Sequence, residues 1–169
     1  MEKKIKELKK IEDEVYKRFE EKERMKMLGN ITSRIICTIA KHLIKDVGYS
    51  ATKRIIEREL REIGKNDAEK IIQLLGIEEK TPENASKALK IAALILGLSL
   101  DIADNHTIIK ECPYGAEVLK FRDPFFCVIC NEYCKGIVEK IAGENYTLIQ
   151  ISSLTKGDKF CSFDVKKRF

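Results

Sequence analysis

The stretch Leu98-Ser99-Leu100-Asp101-Ile102-Ala103-Asp104-Asn105-His106-Thr107-Ile108-Ile109-Lys110-Glu111 decides the fold. Leu98, Leu100 and Ile102 alternate with small or polar residues, the period-two pattern of a strand with one buried face. Asp104-Asn105 supplies a turn, and Thr107 to Glu111 reads as the returning strand of a hairpin. Downstream, Pro124 opens a helix over Phe125 to Ala142 that ends at Gly143. Tyr146 to Ser152 alternates again, Lys156-Gly157-Asp158 turns the chain, and Lys159 to Val165 forms a last strand. The resulting ββαββ order predicts a four-stranded antiparallel sheet with helices on one face.

Upstream of Leu98 the apolar spacing is three and four, the helical period. Ile5, Leu8, Ile11, Val15, Phe19 and Leu28 mark an amphipathic helix from Lys3 to Leu28, ended by Gly29 and Asn30. Its stripe either packs on the rest of the chain or pairs with a second copy. Further helices are expected from Thr32 or Ser33 to Gly48, from Ala51 (capped by Ser50) to Ile63 with Gly64 as its stop, and from Asp67 to Leu75. Thr81-Pro82-Glu83 begins another that reaches about Leu96. The fold class is therefore α+β: N-terminal helices on a four-stranded antiparallel sheet. Residues 1–28 form a candidate dimerisation element, and the helical region 29–97 packs with 98–169 as one domain.

Of 169 residues, 44% are hydrophobic and 35% charged, a composition that folds as a soluble globule. The net charge of +5 comes from alternating signs, not from a basic stripe, so charge gives no sign of a nucleic-acid partner. The longest apolar run, Ile91 to Leu98, is far short of the about 20 residues that span a bilayer. Met1 to Lys10 is charged and lacks the apolar core of a signal peptide, so a cytoplasmic protein is expected. Six Cys in that setting point to metal binding, catalysis or plain burial, not to disulfides.

Cys127, Cys130 and Cys134 fall at i, i+3 and i+7 of the Phe125–Ala142 helix, so they share one stripe, continued by Ile137 and Ile141. With Cys112 and Cys161 they make five thiols in the C-terminal region. A core stripe without metal would look the same, because a thiol packs as a small hydrophobe. A soft divalent ion needs about four such ligands, and zinc is the expected metal, an iron–sulfur cluster the weaker candidate. The two histidines, His42 and His106, offer little general acid–base chemistry. His106 is assigned to the hairpin turn, and Asp158 and Asp164 to turn and surface. No Ser-His-Asp order, Walker loop or Gly-x-Gly-x-x-Gly stretch occurs.

Cys127, Gly136 within the helix, and Gly157-Asp158 leading into Cys161-Ser162-Phe163 resemble the vinyl-4-reductase-type (4VR) hydrocarbon-binding domain over roughly Leu98 to Lys167. Glu111-Cys112-Pro113 and the Cys-rich helix are also similar to the related aminothiazoline-carboxylate hydrolase-type domains. The resemblance implies an α+β fold like that of Golgi-transport TRAPP subunits, often a homodimer, with a small apolar molecule held between helix and sheet. It also implies a zinc set at the positions of Cys127, Gln150, Ser153 and Cys161. Two of those four lack a metal-binding side chain of the family type, so a rearranged site of Cys112, Cys127, Cys130 and Cys161 is the expectation for this chain.

The function expected is that of a sensor or carrier for a small hydrophobic molecule, with Phe121, Phe125, Phe126, Tyr133 and Phe163 as lining residues. The alternatives are a structural homodimer or adaptor, and a hydrolase using a Cys nucleophile or metal-bound water.

Overall fold

Gly29, Ser33, Cys37 and Ala40 recur every three or four residues and are all buried, and this stripe of small side chains lets one helix run straight from Glu21 to Val47 (α1). The expected stop at Gly29-Asn30 is thus corrected. A single Gly costs a helix only about 1 kcal/mol against Ala, and Gly29 serves close packing instead. The computed structural model describes residues 20–95, 98–103, 106–112, 115, 119 and 125–168. The helix expected from Lys3 therefore lies mostly outside the described residues.

Gly48, with φ of 86°, is the only residue between α1 and the next helix, α2, Tyr49–Leu75. Its carbonyl accepts from both the backbone N–H and the hydroxyl of Thr52, so Gly48 and not Ser50 begins the helix. The two helices expected on either side of Gly64 are one. Gly64 is buried, and its missing side chain is used for a helix crossing, not for a stop.

α3, Pro82–Ile95, starts as its sequence dictates, with the Asn84 N–H donating to Thr81 Oγ1 at 3.1 Å. β1 (Ser99–Ala103) and β2 (His106–Glu111) form the hairpin. α4 (Phe125–Ala142) follows and ends at Gly143, whose φ is 97°. β3 (Tyr146–Ser152) and β4 (Cys161–Lys167) complete the sheet. Its order is β1-β2-β4-β3, antiparallel throughout. The expected ββαββ half and the α+β class are present.

β4 begins two residues later than its alternation suggests. The cause lies in the preceding loop, where Leu154–Lys156 makes a 3-10 turn and Gly157 takes a left-handed φ of 94°. Asp158 then accepts from the Ser153 N–H at 2.7 Å, which ties the loop closed.

The main core lies between α2, α3, α4 and the inner face of the sheet, around Ala68, Ile71, Ala88, Leu89, Ile137, Ile141, Leu148 and Val165. A second cluster of Cys37, Ala40 and Phe125 joins α1 to α4. Between α2 and α4 runs a charged seam in which buried Glu132 and Glu139 face Arg61, Lys65 and Arg168. No described helix is long and apolar enough to cross a membrane.

Candidate ligand-binding site

Strand alternation sends Thr107 and Ile109 of β2 to the same face as Cys161 and Phe163 of β4, because Thr107 pairs with Phe163 and Ile109 with Cys161. Gln150 of β3 lies on the other side of Phe163, and Leu100 of β1 opposite Ile109. These side chains form the floor of a cavity. Its roof is α3, through Leu89, Ala92 and Ala93, and the thiol stripe of α4. The two alanines leave the space that larger side chains would fill.

The cavity has a volume of about 90 Å³. An engineered apolar cavity of about 150 Å³ stays dry and holds benzene, so this one suits a small or slender apolar molecule. Cys112, Cys127, Cys130, Cys134 and Cys161 all line it. The helix and the last strand do turn their sulfurs toward one space.

The thiols are not alike. Burial pushes the Cys134 thiol up to about 12. Burial also raises Cys130 far above the ordinary thiol range, and the nearby sulfurs of Cys112, Cys134, Cys127 and Cys161 add repulsion against a thiolate there. Cys161 is raised by burial, partly offset by the Leu154 N–H that donates to its sulfur at 3.4 Å. Cys127 Sγ lies 3.0 Å from Thr155 Oγ1 and 3.3 Å from Ser153 Oγ, and those two hydroxyls are 2.8 Å apart.

The donor set does not fit the expected metal. Among the described residues no group of three or more His, Cys, Asp or Glu is arranged to hold an ion. Cys112, Cys127, Cys130 and Cys161 share the cavity wall without converging into such a group. The sulfur of Cys127 lies within hydrogen-bond reach of two hydroxyls, and that of Cys161 accepts from a backbone N–H. The positions set by resemblance, Cys127, Gln150, Ser153 and Cys161, do lie around one end of the cavity. There Cys127, Ser153 and Thr155 form a hydroxyl–thiol cluster.

Of the aromatic residues expected to line a pocket, Phe163 does so. Phe125 does not. It points to the opposite side of α4, packs on Cys37 and Ala40, and meets the Tyr49 ring at a tilt of 56° with ring centroids 5.2 Å apart. Two positions along a helix turn a side chain by about 200°, which separates Phe125 from Cys127. Tyr133 packs on the main core and donates to Asp67 Oδ2 at 3.2 Å, away from the cavity. Phe121 and the side chain of Phe126 lie outside the described residues.

His106 is not a turn residue but pairs in β2, its Nδ1 2.6 Å from Asp164 Oδ1 on β4. Strand alternation puts both on the face opposite the cavity. Asp164 is lowered first by that hydrogen bond and then by Lys166. The residues that sequence reasoning left out, Leu89, Ala92, Ala93, Leu100, Thr107 and Ile109, carry a readable signal. They are the inward positions of the hairpin and the small face of α3.

No protein-family model and no curated protein matches the chain. Solved structures share its fold. One is the crystal structure of a trafficking protein particle complex subunit 3 from Naegleria fowleri covalently bound to palmitic acid. It is 13% identical, with a TM-score of 0.62 over 85% of this chain and 97% of that one. Another is the phenol-responsive sensory domain of the transcription activator PoxR with phenol, 15% identical, with a TM-score of 0.55 over 85% of this chain and 74% of that one. The chain thus has the fold of a TRAPP subunit and of a small-molecule sensory domain.

Proposed function

We propose that this domain binds a small apolar molecule in the cavity between α3, α4 and the sheet, as a sensor or carrier of the vinyl-4-reductase (4VR) type. The observation that carries the reading is the cavity itself, a space of about 90 Å³ lined by Leu89, Ala92, Leu100, Phe163 and the thiol wall. Two proteins of the same fold were solved with phenol and with palmitic acid, which supports a ligand at this level of architecture. The hydroxyl–thiol cluster replaces a zinc set in this reading, so binding is independent of metal.

Thermal unfolding against a panel of small or slender apolar compounds, none larger than benzene, tests the proposal. A ligand at a hundredfold excess over its Kd stabilises by about 2.7 kcal/mol, roughly 5–10 °C for a domain of this size. Ala92→Ile, which fills the cavity, should remove the response. If no compound moves the transition, the reading fails.

A second copy of the chain is the partner we propose for α1. Its small residues face inward, while Leu28, Ile31, Ile35 and Ile39 are all more than half exposed. Such a ridge of like residues at i, i+4 suits a two-fold interface in which both copies use the same patch. Ile31→Glu with Ile35→Glu should halve the mass in solution, and an unchanged mass would refute the dimer.

A further inference from the structure

Five of the side chains that line the cavity, Cys112, Cys127, Cys130, Cys134 and Cys161, end in sulfur, and no Asp, Glu, His, Lys or Arg is among the described residues of the lining. Packing alone does not call for sulfur at five places. Thiols favour soft partners, and a wall without carboxylate or imidazole excludes harder ones. Among the described residues no three such groups are arranged to hold an ion, so a partner that needs three sulfurs finds no place. Two sulfurs are better placed. Cys127 and Cys130 stand three apart on α4, and both line the cavity. Side chains so spaced have Cβ atoms about 5–6 Å apart. A direct disulfide needs about 3.5–4.5 Å, so this spacing suits one bridging atom between the sulfurs instead.

We propose that the cavity takes a small organoarsenic(III) compound with one carbon substituent, held by bonds from arsenic to the sulfurs of Cys127 and Cys130. The inference rests on the cavity being a ligand site and adds the class of ligand. The carbon substituent fills apolar space that a bare ion would leave open, and about 90 Å³ limits it to a methyl or a similarly small group. The step is an exchange without oxidation. Methylarsonous acid brings two As–OH groups, and each S–H with each As–OH gives one S–As bond and one water. Both thiol protons leave in the two waters, and arsenic stays trivalent. Thr155 Oγ1, 3.0 Å from the Cys127 sulfur, is placed to pass one proton on.

Methylarsonous acid is titrated against the reduced wild type, Cys127→Ala, Cys130→Ala and Cys134→Ala, with excess glutathione as a monothiol competitor and native mass spectrometry as the readout. The wild type should take up one equivalent and gain the mass of CH3As less two hydrogens. Cys127→Ala and Cys130→Ala each lose one of two linked bonds and should bind at least about a hundredfold more weakly. Cys134→Ala, which removes a sulfur from the same wall, should bind as the wild type does. Where Cys130→Ala melts well below the wild type, Cys127→Ala decides. Arsenous acid, which asks for a third sulfur, should bind less tightly than the methyl compound, and tighter binding would overturn the two-bond site. Wild-type affinity in Cys127→Ala would overturn the assignment. Xenon, which needs apolar space and no sulfur chemistry, is followed by NMR as the companion probe. If xenon binds and methylarsonous acid does not, the dithiol falls and the apolar site stands. If neither binds the wild type, both fall together.

Discussion

Gly64 and Gly136 bring the backbones of α2 and α4 into contact. A Cβ on Gly64 would stand 2.1 Å from the carbonyl oxygen of Tyr133, and one on Gly136 would stand 2.1 Å from that of Arg61. α4 also carries three of the cavity's thiols, so this crossing sets the height of the roof over the sheet.

Gly136→Ala therefore has to push the helices apart. In an open helix the change would stabilise by about 1 kcal/mol, but here overpacking should cost about 2–3 kcal/mol in urea unfolding. Gly64→Ala should behave alike. A variant more stable than the wild type would contradict the crossing.

Beside the crossing, Glu132 is buried and accepts from Arg61 Nε at 3.0 Å and from Lys135 Nζ at 2.5 Å. Burial works against the Arg61 charge, but the hydrogen bond and charge of Glu132 outweigh it and hold the guanidinium above its usual value. Breaking a fully buried pair costs roughly 3–5 kcal/mol. Arg61→Ala leaves Lys135 in place, so a loss of about 2 kcal/mol is expected by urea unfolding. Arg61→Met with Glu132→Leu should recover most of it. A double variant no better than Arg61→Ala would show that the charges contribute more than their burial costs.

The raised thiols make stability depend on alkaline pH. In the unfolded chain a thiol ionises near 9, whereas folded Cys134 holds its proton to about 12. The folded state thus binds more protons within that window, and stability must fall as pH rises through it. The slope approaches 1.4 kcal/mol per pH unit for each such group. Cys134→Ala should flatten the alkaline limb relative to the wild type, and parallel curves for the two proteins would contradict the assignment.

Much of this architecture is legible in the residues. The alternation around Leu98 and Tyr146, the Thr81-Pro82 helix start and the i, i+3, i+7 thiols lead to the observed sheet, α3 and the sulfur wall. Glycine misleads, because Gly29 and Gly64 have the look of helix stops, and only tertiary contact reveals them as packing positions. The aromatic residues mislead for a related reason. Size alone nominates Phe125 and Tyr133, while the angle around α4 places them outside the cavity. Thr107 has no sequence signal of its own, since an unpaired hydroxyl exists only once its neighbours are placed.

Because no group of three or more His, Cys, Asp or Glu among the described residues is arranged to hold an ion, metal should be dispensable. Protein purified without added metal should carry zinc and iron far below one equivalent, and a chelator should leave the melting temperature unchanged. A stoichiometric metal lost together with stability would overturn this account of the thiols.

The most direct measurement of the central claim is a crystal structure of the protein pressurised with xenon, a probe small enough for the cavity, read from the anomalous signal of xenon. The account predicts a peak between Phe163 of β4 and the Cys130 face of α4, with Ala92 and Ala93 above it. Xenon confined to the exposed ridge of α1, with nothing between α4 and the sheet, would contradict it.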